Sequence, residues 1–101
     1  MDAVTIRLDL NNPEFQRDWM ALEKDDAEGL RQSLKKISKM SWNQLYQSKG
    51  FHWEEIHSKS GPHTSRLYSI RITKKFRAVV YRSGDFLRFL TLHPDHDSAY
   101  H

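Results

Sequence analysis

The chain reads as an α+β protein: an N-terminal strand, a helical hairpin, then an antiparallel β-meander, with the helices packed on one face of the sheet. Three observations predict this. Apolar residues alternate with polar ones at Val4, Ile6, Leu8 and Leu10, and again at Tyr68, Ile70 and Ile72, which is the period of a half-buried strand. Between these stretches the apolar residues fall at helical spacing. Polar turn signals then cut the last third into short runs.

Taken in order, the first strand ends at Asn11-Asn12-Pro13-Glu14, where Asn12 suits an N-cap, Pro13 the first helical position and Glu14 the first turn. Phe15, Trp19 and Leu22 make one stripe. Asp25-Asp26 is expected to end that helix and cap the next, with Asp25 and Glu28 spaced as a capping box. Leu30, Leu34 and Ile37 form the second stripe, and Gly29 is a mild liability within it. Residues 41–48 read as a short helical turn and 51–57 as a strand, separated by a turn at Lys49-Gly50. Pattern does not decide which of Glu54 and Glu55 faces the sheet surface. Residues 58–65 are a polar Gly-Pro loop. Strands are expected over 67–73, 76–82 and 86–92, joined by turns at Lys74-Lys75 and Ser83-Gly84-Asp85. The segment 93–101 is read as a terminal turn.

At 101 residues the chain is one domain, 1–101, of a size that buries a single core. No apolar run approaches the roughly 18 residues of a membrane span, and the N-terminus lacks the pattern of a signal peptide. There is no cysteine, hence no disulfide or thiolate chemistry. A cytoplasmic protein is expected. The net charge of +3 is unevenly placed: residues 1–30 sum to −5, residues 31–65 to +4 and residues 66–88 to +6. A polyanion would be held by the middle of the chain.

Arg71 and Arg77 leave the central strands a few residues apart, with the planar fork that suits phosphate. Cleavage of RNA by its own 2′-hydroxyl needs a base, cations for the charged phosphorane, and an acid for the leaving 5′-oxygen. Glu54 or Glu55 fits the base, Arg71 and Arg77 the cations, and His96, with Tyr100 close in sequence, the acid. No cofactor is required. His93 and His96 with Asp95 and Asp97 carry only a weak metal pattern, and no metal site is expected. Trp42, Phe51 and Trp53 are read as core rather than as base-stacking residues.

Residues 68–81, YSIRITKKFRAVVY, resemble the central motif of the RelE/ParE toxin superfamily, in which "S-x-R-I" is followed after a turn by "x-R-x-V/I-x-Y/F" in YoeB- and HigB-like members. LRFLTL followed by HPDHDSAY is similar to the last strand and "H-D-x-A-Y" ending of many relatives. The resemblance covers about a third of the chain by motif and the rest by element order. It implies the toxin of a toxin–antitoxin pair, a metal-independent mRNA endoribonuclease acting on the ribosome. By position, Arg71 and Arg77 fall on the motif arginines, His96 on the C-terminal histidine, Tyr100 on the aromatic after it, and Glu54 or Glu55 on the upstream acid. It further implies a cognate antitoxin, and contacts to mRNA and 16S rRNA through Lys35, Lys36, Lys39, Lys74, Lys75 and Arg82. The alternative is a binding-only relative, either gyrase-inhibiting like the ParE branch or inactive.

Overall fold

A computed structural model describes residues 5–62 and 65–94. The order is β1 (Arg7–Asp9), α1 (Pro13–Met20), α2 (Lys24–Ile37), α3 (Trp42–Gln47), β2 (Glu54–Ser60), β3 (Arg66–Arg71), β4 (Arg77–Ser83) and β5 (Phe86–His93). The strands form one mixed sheet in the order β1-β5-β4-β3-β2. β2 to β5 make the expected antiparallel meander. β1 departs from it by running parallel to β5, with Arg7 opposite Phe86 and Asp9 opposite Arg88. The intervening helices and strands supply the long connection that parallel neighbours need.

The helices lie on one face. Phe15, Leu30, Leu34, Ile37, Trp42 and Leu45 share a core with Ile70, Ala78, Val80, Leu87 and Phe89 of the sheet. Among the described residues the opposite face carries a small apolar cluster of Ile56, Leu67 and Val79, bordered by Tyr81 and Leu90. Polar residues dominate the rest of that second face, and the candidate site lies there.

Helix α1 starts as the sequence predicts, with the Asn12 side chain accepting from the Glu14 N–H and Pro13 at the first helical position. It ends earlier than expected, because the Ala21 N–H turns back to the Asp18 and Trp19 carbonyls. Leu22 therefore lies beyond the helix, and Trp19 stays 36% exposed. The expected capping box at Asp25 is not formed. Glu23 occupies the N-cap without a side-chain bond, and Asp25 and Asp26 sit in the first turn, where the helix dipole favours acids. The Glu28 carboxylate is engaged instead by Arg31 and Gln32, which holds it below the usual carboxylate range. A capping box does occur at Ser41 and Gln44, opening α3.

Two local features set the working face. A Cβ on Gly29 would come within 2.8 Å of Thr73 Cγ2, so this glycine lets α2 approach the β3–β4 turn. Ser33 completes the junction by donating to the Ile72 carbonyl at 3.4 Å. In β5 the register shifts between Val79, opposite Thr91, and Val80, opposite Phe89. This bulge at Leu90 resets the alternation, so that Leu92 enters the core while Thr91 and His93 join the helix-free face.

Candidate functional site

The turn joining β3 to β4 is closed by Ile72 N–H to the Phe76 carbonyl at 2.8 Å and Phe76 N–H to the Thr73 carbonyl at 3.3 Å. Phe76 is fully buried beneath it, and the Arg71 N–H donates to the Phe51 carbonyl at 2.7 Å. With the turn so fixed, Arg71 lies directly opposite Arg77, and Arg77 lies opposite His93 of β5. Paired residues on antiparallel strands point to the same face. Arg71, Arg77 and His93 therefore form a row across three strands, on the face away from the helices.

The next row contains Ser69, Val79 and Thr91. Its β2 member is Glu54, opposite Ser69, whereas Glu55 is opposite Tyr68. Register thus decides what pattern left open. Glu54 shares the face of the arginines. Glu55 points to the helix side, near His57 at 3.6 Å and Arg66 at 3.9 Å, and does not join the row. Three strand spacings of about 4.8 Å place β2 and β5 about 14 Å apart, with the arginines between them. A phosphate at the centre of the row would have a carboxylate on one flank and an imidazole on the other.

The electrostatics are unusual for a plain strand surface. Arg77 is only 5% exposed and Ser69 is fully buried. Like charges directly opposite each other on a sheet are unfavourable. Arg71 Nε is buried without a hydrogen-bond partner among the described residues, and the ion pairs among those residues do not include Arg71. An anion bound between the two guanidiniums would relieve both costs. Burial, then the Lys59 charge, push His93 below the ordinary imidazole value, against the opposing pull of Asp18 and Glu14. His93 Nε2 lies 2.8 Å from Thr91 Oγ1.

The remaining predicted residues fall in several places. Lys74 and Lys75 are exposed on the turn beside the arginines. Lys35 and Lys36 in the last turn of α2, and Lys39 after it, are exposed on the helix side. Arg82 is also on the helix side, with its guanidinium 4.1 Å from the Trp42 ring centroid. Trp42 and Phe51 are buried as expected, at 6% and 8% exposed, and Trp53 is half-buried. His96 and Tyr100 lie outside the described residues, as do Asp95 and Asp97. Among the described residues no cluster of three metal-ligating side chains occurs, and no helix is long and apolar enough to cross a membrane.

Sequence reading missed His93 as a member of the row. The signal was present in the Thr91–Leu92–His93 alternation, but the expected strand stopped at residue 92 and the bulge was not foreseen. Arg88 was also missed. It stands on the same face, ion-paired to Asp9, so its charge is already answered.

No protein-family model matches the chain, and no curated protein matches it. Among solved structures it is similar to a copper-bound mutant toxin from Helicobacter pylori, with 14% identity over 94% of this chain and 97% of that one, at a TM-score of 0.48.

Proposed function

We propose that this protein is a toxin of the RelE/ParE type that cleaves mRNA by attack of the 2′-hydroxyl on the adjacent phosphate. The observation that carries this reading is the row of Arg71, Arg77 and His93, with Glu54 beside it, on the helix-free face of the sheet. The motif resemblance over residues 68–81 supports it independently.

In this mechanism Arg71 and Arg77 bind the scissile phosphate and stabilise the additional negative charge of the phosphorane. The 2′-oxygen forms a bond to phosphorus and the bond to the 5′-oxygen breaks, leaving a cyclic phosphate and a 5′-hydroxyl. Glu54 takes the proton of the 2′-hydroxyl. A histidine on the far flank returns a proton to the 5′-oxygen. His93 stands at that flank, and the sequence motif nominates His96 for the same task. Burial lowers the pKa of His93 in the free protein; an incoming phosphate would favour its protonated form. The cationic row does the charge neutralisation, so the scheme needs no metal. An antitoxin with an acidic segment would neutralise the same face.

The test is RNA cleavage and growth arrest on induced expression, comparing wild type with Arg71→Ala, Glu54→Gln and His93→Gln. Removing one proton-transfer group is expected to lower the rate by about 10²- to 10⁴-fold. Equal growth arrest with all four proteins, at matched expression, would rule out cleavage by these residues.

A further inference from the structure

A groove opens on the helix side of the sheet. It has a volume of about 650 Å³ and is lined by Tyr46, Trp53, Arg66, Tyr68 and Arg82. This is within the range of about 300–1,000 Å³ for ligand sites. Tyr46 comes from α3 and Trp53 from the segment entering β2. Arg66 and Tyr68 alternate on β3, and Arg82 is near the end of β4. These residues face away from the row of Arg71 and Arg77.

Its wall is aromatic. Trp53 stacks on Tyr68 with ring centroids 4.4 Å apart and an interplanar angle of 23°, and Tyr46 packs on Trp53 at 5.1 Å. Tyr46 remains 39% exposed. Arg82 is held in place. It donates to the Tyr46 hydroxyl and to the Gly84 carbonyl, both at 2.8 Å, while lying over Trp42. Two of its five N–H donors are used there. The Arg66 side chain is 77% exposed and meets Glu55 only at 3.9 Å. A fixed cation, an exposed cation and a partly exposed aromatic wall suit bases and phosphates together. An acidic peptide would use the charges but not the ring faces.

We propose that this groove binds single-stranded RNA, with a base against the Tyr46–Trp53–Tyr68 wall and flanking phosphates on Arg66 and Arg82. The choice of RNA as ligand rests on the proposed function; the groove does not require that the arginine row cut it. The probe is a fluorescently labelled 2′-O-methyl RNA of about 12 nucleotides, within the span of a single stacking platform. It lacks the attacking hydroxyl, so binding is read whether or not the protein is a nuclease. Fluorescence anisotropy should show saturable binding to wild type. Tyr46→Leu, which keeps apolar bulk, should weaken it about 5- to 100-fold. Arg66→Ala should lower the slope of log affinity against log salt by about 0.7. Lys24→Ala, at the start of α2, should change neither affinity nor slope. Ultraviolet crosslinking of the wild-type complex should label peptides containing Tyr46, Trp53 or Tyr68, which makes the result independent of how any variant folds. Absence of saturable binding, wild-type behaviour of both groove variants, or crosslinks confined to other peptides would overturn the proposal. So would a poly-glutamate peptide whose binding falls as much as the RNA's on Tyr46→Leu.

Discussion

Replacing Arg71 by Met should stabilise the fold while abolishing anion binding. Arg71 stands opposite Arg77 on β3 and β4, and its Nε is buried without a partner among the described residues. Like charges directly opposite each other on a sheet are destabilising, within the roughly 0.2–1 kcal/mol span of cross-strand pair effects. A buried donor left unsatisfied costs about 1–3 kcal/mol. Methionine keeps most of the apolar stem and removes both penalties, at the loss of some packing by the guanidinium. A net gain of about 1 kcal/mol is expected, which is about 4–8 °C in Tm for a domain of this size. The assay is thermal unfolding by circular dichroism, with and without inorganic phosphate. Phosphate at ten times its dissociation constant should stabilise wild type by about 1.4 kcal/mol and leave Arg71→Met unchanged. A variant that melts below wild type in phosphate-free buffer would show that Arg71 stabilises the fold, and one that gains as much from phosphate would show that the anion binds elsewhere.

The other expectations concern single residues. Gly29→Ala should destabilise by about 1 kcal/mol in urea unfolding. Better helix propensity contributes about 1 kcal/mol, and the clash with Thr73, at 2.8 Å from the new Cβ, costs about 1–3 kcal/mol. Ser41→Ala should cost about 1 kcal/mol by the same measurement, because the capping box that opens α3 is lost. The folded pKa of His93 is depressed, so the unfolded chain takes up the proton first as pH falls. Stability should be level above about pH 6.5 and decline below it, down to the folded pKa. His93→Gln should remove that decline in urea titrations at a series of pH values. Glu54→Gln should lower RNA cleavage by about 10²-fold or more, whereas Glu55→Gln should leave it within a few-fold of wild type; the reverse order in a cleavage assay would mean that β2 presents the other carboxylate to the site.

The elements themselves were legible because their signals are local. Asn12-Pro13 can cap a helix wherever it lies in a chain, and the stripe of Leu30, Leu34 and Ile37 needs only helical periodicity to be recognised. All three are buried. The failures also have local causes. Asp25 and Glu28 match a capping box in spacing, but that motif competes with other uses of the same carboxylate, and Glu28 has Arg31 three residues away. Gly29 looked like a helix defect because the residue that requires it, Thr73, lies far along the chain.

For the candidate site, composition and motif alone nominated Arg71 and Arg77 as two cations near each other, and Glu54 and Glu55 as equal candidates. Only strand pairing could make the arginines direct neighbours, choose Glu54 over Glu55, and add His93 to the row. A one-residue change in register moves every side chain of a strand to the opposite face, and register is a relation between strands that neither strand carries alone. The bulge at Leu90 acts in the same way, by deciding which side of the sheet Thr91 and His93 occupy. Local sequence signals are enough to say which chemical groups the protein has and in what order its elements follow. The tertiary structure decided which of those groups share a face.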